Sequence, residues 1–469
     1  MPPPVVVAPP WLPVALATLA LLGCSREAPV KPAPPNAPNV LLITLDGLRQ
    51  DHLSFSGYPR ATSPNIDALA ERGMVFDEVV PSSCSTKISL TSLFTSLDYP
   101  RHAVADHKDL LPDEALTLAE VFAANGYATG GVVASAWLSE SLNFDQGFEF
   151  YEDFHGRKER GVRADMVVGE AVRFLRERAR EGEEDPRPFF LYLHTHEPHP
   201  PWWGGSPWDD GPSTAREDTR FYGEWCGYVP TDEQRDALAL DRQQKLVARY
   251  DGAIHFADAW IGALIATLQH QDRLRNTIVA ISADHGMGLT DHFSAGHGNT
   301  PFDEVTRGFL VLYDGRDPRA SAAPELQGRI FDIGPTLIGR AGLELPPQLD
   351  GVDLLRDAGR LPEYAYSTCF SGDLARSRTH KLIRFDPGLR ELYGRWPRGV
   401  PGEWMLVDLG ADPGETRDVS AEQPEVRARM QRALLEHGPG TESHDLEPEA
   451  REAIDPKSLE RLRELGYVE

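Results

Sequence analysis

Cysteine is scarce in this chain: four stand among 469 residues, at Cys24, Cys84, Cys226 and Cys369. So few exclude a disulfide-built scaffold, and the fold must rest on a hydrophobic core. Beyond Cys24 one pair is possible, and nothing in the sequence selects it. Basic residues are also few, 47 Lys and Arg against 72 Asp and Glu, for a formal charge of −25. That balance argues against a nucleic-acid partner or an anionic membrane surface, while leaving room for a small anion held through a metal. Internal repeats are lacking. What is plentiful is apolar material, 41% of the chain beside 25% charged, which is enough for one large α/β unit with a smaller appendage.

The apolar run 11–23 is too short to span a bilayer comfortably but suits the hydrophobic region of a secretory signal. Its ending, Leu21-Leu22-Gly23-Cys24, resembles a bacterial lipobox, although Met1-Pro2-Pro3-Pro4 lacks the basic residues that usually open such a signal. The resemblance implies cleavage before Cys24, lipidation of that Cys, and an exported bacterial protein of the periplasm or outer membrane. Contact with the membrane is then expected only through the lipid at Cys24. Pro29, Pro32, Pro34 and Pro35 make the following stretch a semi-extended tether.

Several apolar, β-branched runs end abruptly in polar residues. Asn39 to Leu45 ends at Asp46, Phe189 to Leu193 runs into His194-Thr195-His196-Glu197-Pro198-His199, and Asn276 to Ala283 ends at Asp284-His285-Gly286. Such runs read as strands buried on both faces, and open α/β sheets place their sites at the carboxyl ends of strands. A shared site for a divalent cation follows as an expectation. Of the three imidazoles after Leu193, one or two are expected to be structural. Helical spacing is expected at 64–70, from Thr86 onward, at 116–125, 165–180 and 243–270, with further strands at 74–80, 129–134 and 309–313. The span 39–80 thus reads as strand, loop, helix, strand. The helix from Thr86 would turn its first amides toward an anion or alkoxide. The loop 202–232, rich in Trp, Gly and Pro, reads as a lid or specificity element in which most of the Trp residues cover the domain's edge. From 363 onward, short antiparallel strands at 364–368, 381–384 and 404–408 precede helices at 425–437 and 456–465.

With these motifs in order, the chain resembles the sulfatase family of the alkaline-phosphatase superfamily. The likeness rests on Asn39 to Asp51, Pro64 to Ala70, Ser92-Leu93-Phe94-Thr95-Ser96, Asp284-His285-Gly286, Gly296-His297-Gly298, Asp408-Leu409 with Asp412 to Glu415, and Leu462 to Tyr467. It implies an α/β fold: a large mixed, mostly parallel sheet flanked by helices, with a smaller C-terminal α+β region. The division implied is signal 1–23, tether 24–37, catalytic domain 38–362 and C-terminal subdomain 363–469. It implies one divalent ion, Ca, Mn or Zn, held by Asp46, Thr86, Asp284 and His285. It gives His199 and His297 the tasks of binding substrate oxygens and protonating the leaving alkoxide, with Arg49 and Lys87 as further substrate-binding cations. The implied partner is a small-molecule or glycan ester of sulfate or phosphate.

One position departs from the family. Its nucleophile is a Cys or Ser converted to formylglycine within a Cys-x-Pro-x-Arg type motif, whereas here Thr86 occupies that place, Ile88 replaces the Pro and Leu90 the Arg. Cys84 lies two residues early. The expected reaction is metal-dependent hydrolysis of sulfuric or phosphoric esters. The alternatives are a Thr-nucleophile phosphodiesterase or phosphotransferase, like the phosphoethanolamine and phosphoglycerol transferases, and a non-catalytic envelope lipoprotein that binds an anionic glycan.

Overall fold

The computed structural model describes residues 31–438, apart from 103, 106–108, 155–160, 181–184, 201, 203–205, 209–239, 290, 293–294, 299, 319–322 and 389–401. The expected signal segment, Cys24, the first part of the tether, most of the loop 202–232, Cys226, the helix 456–465 and the closing Leu462 to Tyr467 motif lie outside the described residues.

The large sheet is built from β1 (Asn39–Leu45), β2 (Met74–Val80), β3 (Ala128–Val133), β4 (Phe150–Glu152), β5 (Phe189–Thr195) and β6 (Thr277–Ala283). After a two-stranded ribbon, β7 (Gly288–Leu289) with β8 (Ala295–Gly296), it is completed by β9 (Gly308–Asp314) and β10 (Gly328–Arg329). The order is β10-β2-β9-β6-β1-β5-β3-β4, with β1, β5 and β6 parallel at the centre and β9 antiparallel to both β6 and β2. This is the expected alkaline-phosphatase-like α/β architecture. The span 39–80 differs in one respect from the simple strand, helix, strand unit. β2 does not lie beside β1; β6 and β9 separate them, and the partial exposure of Met74, Val75, Asp77 and Glu78 suits a strand near the sheet's edge.

The strands read as continuous apolar runs because helices cover both faces. On one side Leu41, Ile43 and Leu45 of β1 pack with α1 (Pro64–Ala70), and with helices that follow later in the chain. On the other, Val40 and Leu42 meet Leu90 and Phe94 of α2 (Thr86–Thr95). A single turn, α3 (Tyr99–His102), follows α2, and α4 (Leu118–Ala124) adds Phe122 to the second layer. The first layer is completed by α5 (Ala164–Arg180) and α6 (Leu240–His270), the second by α8 (Ile333–Arg340), which comes after the one-turn α7 (Asp303–Thr306). Each fully buried Leu, Ile, Val or Phe contributes roughly 1.5–3 kcal/mol. Strand period two therefore assigns every residue of β1, β5 and β6 to one helical layer or the other.

A second, antiparallel sheet runs β11 (Ala365–Cys369), β12 (Gly372–Arg376), β13 (His380–Phe385) and β14 (Trp404–Asp408), and α9 (Pro424–His437) packs on it through Met430 and Leu434. β12 is the strand that periodicity does not suggest. It starts at a glycine and carries two charges, and one of those is Arg376, buried within an ion cluster. In that cluster Asp303 at the start of α7 accepts hydrogen bonds from Arg376 at 3.0 Å and Lys381 at 2.6 Å, while Lys381 also reaches Glu415 at 2.7 Å. Glu415 in turn accepts the Asp303 amide. α7 then hands its carbonyls to the main sheet: Val305 and Glu304 accept from the amides of Gly286 and Met287, directly after Asp284-His285.

Lys381 is fully buried, so Lys381→Met should strand Asp303 and Glu415 without their shared cation. The expected cost is about 3–5 kcal/mol, read as a lower urea midpoint; an unchanged midpoint would show that the cluster contributes nothing net.

Candidate active site

Strand parity brings the polar strand ends to one place. Phe190 and Tyr192 of β5, Val40 and Leu42 of β1, and Ile278 and Ala280 of β6 all face the α2 layer. Continuing each alternation past the apolar stretch puts His194, Asp46 and Asp284 on that same face. Register does the rest, since Thr44 stands opposite both His194 and Ser282. Asp46, His194 and Asp284 each offer a ligand atom, all within 4.8 Å of one another.

Around this trio the imidazoles gather. His285 Nε2 lies 3.4 Å from Asp284 Oδ2 and 3.8 Å from Asp46 Oδ1, and His196 Nδ1 lies 3.4 Å from Asp46 Oδ2. His194 Nδ1 pairs with Thr44 Oγ1 at 2.9 Å, and Thr44 with the Tyr192 hydroxyl at 2.7 Å, so His194 Nε2 is aimed at the carboxylates. His285 Nδ1 donates to the Gly286 carbonyl at 2.9 Å, which leaves Nε2 with a free lone pair. Asp284 Oδ1 accepts from the amides of Gly47 and His285. Gly47 has φ +69, and a Cβ there would meet the Met287 methyl at 2.6 Å, so this close turn requires glycine.

The donor set fits a cation. Asp46 Oδ2, Asp284 Oδ2, His194 Nε2 and His196 Nδ1 are all buried without a hydrogen-bond partner. Orphaned polar atoms of this kind are rare in interiors, and here they converge. Electrostatics agree. Burial, then the charge of Asp46, pushes Asp284 up to about 8. Asp46 is also opposed by burial, yet His199, His194 and His196 outweigh it and hold the group well below the usual carboxylate range. Without a cation, one of these two carboxyls must keep a proton.

Thr86 is the first residue of α2, with Oγ1 3.2 Å from His285 Nε2 and 3.5 Å from Asp46 Oδ1. His199 and His297 stand together beside His285, paired with each other. Their Nδ1 atoms donate to the carbonyls of Pro200 and Cys84, and their Nε2 atoms face each other at 3.1 Å, where a single proton can bridge them. The His297 ring stacks on His285 with centroids 4.3 Å apart. Cys84, whose carbonyl takes part here, is disulfide-bonded to Cys369 of β11.

Two expected substrate-binding cations are placed otherwise. Arg49 is buried, and its guanidinium is spent on Asp51, on Asp291 and on the Met287 carbonyl. This corrects its expected role: a guanidinium that forks onto two carboxylates braces the loop after β1 and has no arm left for substrate. Lys87, the residue after Thr86, is buried, and its ammonium donates to the Asp109 carbonyl. His194 and His196, two of the three imidazoles expected at this strand end, are the site residues to which the sequence assigns no individual role. The signal was present in the alternation Phe190, Tyr192, His194, His196, which is also the parity of Asp46. In the long loop, Trp202 is buried and donates to the Pro198 carbonyl, a structural task in keeping with edge cover.

A family model described as Sulfatase matches residues 38–343. Arylsulfatase A of Bos taurus is 27% identical, the match covering 90% of this chain and 90% of its own length. The N-acetylglucosamine-6-O-sulfatase of Bacteroides thetaiotaomicron is 22% identical over 97% of this chain and 95% of its own. Among solved structures, the phosphonate monoester hydrolase of Agrobacterium radiobacter superposes with TM-score 0.63 at 21% identity, covering 85% of this chain and 95% of that one. A protein in complex with its substrate D-glucosamine-2-N,6-O-disulfate superposes with TM-score 0.66 at 18% identity, covering 86% of this chain and 97% of that one. At these identities the structural likeness speaks to fold.

Removing His194 as His194→Ala should weaken Mn or Zn binding at least about tenfold, and Thr44→Val, which frees the ring to turn, about 10–100-fold. Equilibrium dialysis reads both, and unchanged affinity would remove His194 from the site. The pH dependence of the metal-free fold follows from Asp284. Its folded value of about 8 lies above the ordinary carboxyl, so the folded state holds the extra proton in between. Stability should therefore fall as pH rises from about 4 to about 8, a window above the one in which Asp46 titrates. Urea midpoints with chelator should show this fall, and saturating metal should flatten it.

Proposed function

This chain belongs to the sulfatase family, a hydrolase of sulfate esters, and we propose that it acts with one divalent cation and with Thr86 as its nucleophile. The observation that carries this reading is the place of Thr86 Oγ1, within 3.5 Å of both Asp46 and His285 at the start of a helix. Cys84 supports it from the other side, because its sulfur is committed to the bond with Cys369 and is not available as a formylglycine precursor.

Bound between Asp46, His194, Asp284 and His285, the cation would neutralise the two carboxylates, acidify the Thr86 hydroxyl and polarise the sulfuryl or phosphoryl oxygens. Mixed carboxylate and imidazole donors favour Mn or Zn over Ca. The chain's own residues supply the rest. Thr86 Oγ1 forms the new bond to sulfur or phosphorus as the bond to the leaving oxygen breaks. The amides at the start of α2 face the developing negative charge. His199 and His297 deliver a proton from Nε2 to the leaving oxygen. Burial and the charge of His285 hold His297 down at about 4, and burial also lowers His199, so both are neutral before substrate arrives. The negative charge of the bound ester favours a proton on this pair, taken up from solvent as the substrate docks, and the proton that Thr86 loses on attack is released to solvent. Water then cleaves the Thr86 ester and regenerates the hydroxyl.

Phosphoryl or phosphonyl transfer is the second reading, favoured by Thr86 itself. A threonine ester, unlike that of an aldehyde hydrate, cannot collapse by expelling the oxyanion, so its release depends on water attacking the central atom. The substrate class proposed is a small-molecule or glycan ester. Export with a lipid at Cys24 is proposed as well, and the Cys84–Cys369 disulfide, suited to an oxidising compartment, supports export. Cys24→Ser should move the protein from membrane to soluble fraction; an unmoved protein would refute the anchor.

Thr86→Ala should lower kcat on aryl sulfate and phosphate esters at least about a thousandfold, while the protein still binds metal in dialysis. Phosphate or sulfate found on Thr86 by mass spectrometry after substrate would support transfer, and full activity of the variant would exclude Thr86 as nucleophile.

A further inference from the structure

The turn joining β11 to β12 is Cys369-Phe370-Ser371-Gly372, and it is held against the site from several directions. Thr368 gives its amide to the Ser82 carbonyl at 3.0 Å and takes the Cys84 amide at 3.1 Å, so β11 extends the segment leading into Thr86. The disulfide binds Cys369 to Cys84, two residues before Thr86. Phe370 donates its amide to the Gly298 carbonyl at 2.7 Å, one residue after His297. Its ring lies on Gly298, where a methyl group would stand 3.0 Å from the ring, so the missing side chain makes the room. Yet the ring is 74% exposed; among the described residues only Phe370 and Leu435 are large hydrophobics left so open. Fixing an aromatic ring in place and leaving it in water has no benefit to the fold.

We propose that Phe370 is a substrate-contacting specificity residue, on which the flat C–H-rich face of a ring in the ester's leaving group rests. This deepens the functional reading above and rests on it, because the leaving group must emerge past His199 and His297. An aryl ring and the face of a pyranose share the required chemistry. The backbone bonds and the disulfide hold the turn that carries the ring, so the backbone loses little freedom when the leaving group docks.

The test compares binding of benzenesulfonate, a pyranose sulfate and ethanesulfonate to the wild type and Phe370→Ala by calorimetry, with manganese supplied. Benzenesulfonate and ethanesulfonate have no ester to cleave, so a failure of ester hydrolysis leaves their comparison intact and is read separately from turnover. Phe370→Ala should weaken at least one ring ligand about tenfold and shift ethanesulfonate by less than about twofold, with Phe370→Trp restoring the difference. Which ring ligand weakens names the natural kind, aryl or sugar. A wild type that binds all three alike, or a variant that weakens all equally or none, overturns the proposal. Since the side chain is exposed, its loss should leave the thermal midpoint unchanged.

Discussion

Two carboxylates buried on the same face of one sheet cannot both stay ionised unless positive charge stands between them, and the rest of this molecule answers to that constraint. Asp46 and Asp284 end adjacent parallel strands, where neither water nor a distant side chain relieves them. Imidazoles close in from β5 and from the loop after β6, yet His194 Nε2, His196 Nδ1 and one oxygen of each carboxylate still lack partners. Arg49, by contrast, has its charge matched by Asp51 and Asp291. Leaving four polar atoms unpaired in one small volume is a cost that a cation offsets.

That requirement explains why so much structure is gathered at the carboxyl ends of the central strands. Gly47 allows the chain to turn tightly enough for its amide to reach Asp284. Thr44 and Tyr192 fix one imidazole, and carbonyl oxygens fix three others, so each ring presents a chosen nitrogen. The second sheet belongs to the same arrangement. Its Lys381, Arg376 and the nearby Glu415 hold the start of α7, and α7 holds the loop behind Asp284-His285. Its first strand, through the disulfide and a two-sided backbone contact, steadies the approach to Thr86. Thr86, the two carboxylates and the imidazoles around them thus depend on both sheets, although Asp46, His194 and Asp284 all stand at strand ends of one.

Much of this was legible in the residues. Strands buried on both faces announce themselves as apolar runs, and each here ends in the polar group that matters. The helix beginning at Thr86 and the long helix before β6 also lie where their periodicity suggests. What was missed has particular causes. β12 escapes because only Leu374 and Ala375 of its five residues are apolar and buried in the core clusters, while its buried Arg376 belongs to a charged cluster. The separation of β2 from β1 is not legible either, because order along the chain says nothing about the two strands inserted between them from 277–283 and 308–314. Arg49 reads as a substrate cation from its local sequence because its partner Asp291 is 242 residues away. His194 was hidden among three imidazoles, only one of which could be weighted without knowing which strand faces which.

By itself, then, the sequence determined the elements, the family, and the types of residue brought to the strand ends, because hydrophobic periodicity and local motif order act over a few residues at a time. Only the tertiary structure decided which imidazoles join Asp46 and Asp284, that Cys84 pairs with Cys369, that Arg49 is spent on carboxylates, and that Phe370 stands open beside His297. The reason is register and layer. Which side chains meet across a parallel sheet depends on strand order and on one residue more or less of offset, and neither quantity is written in any single stretch of the chain.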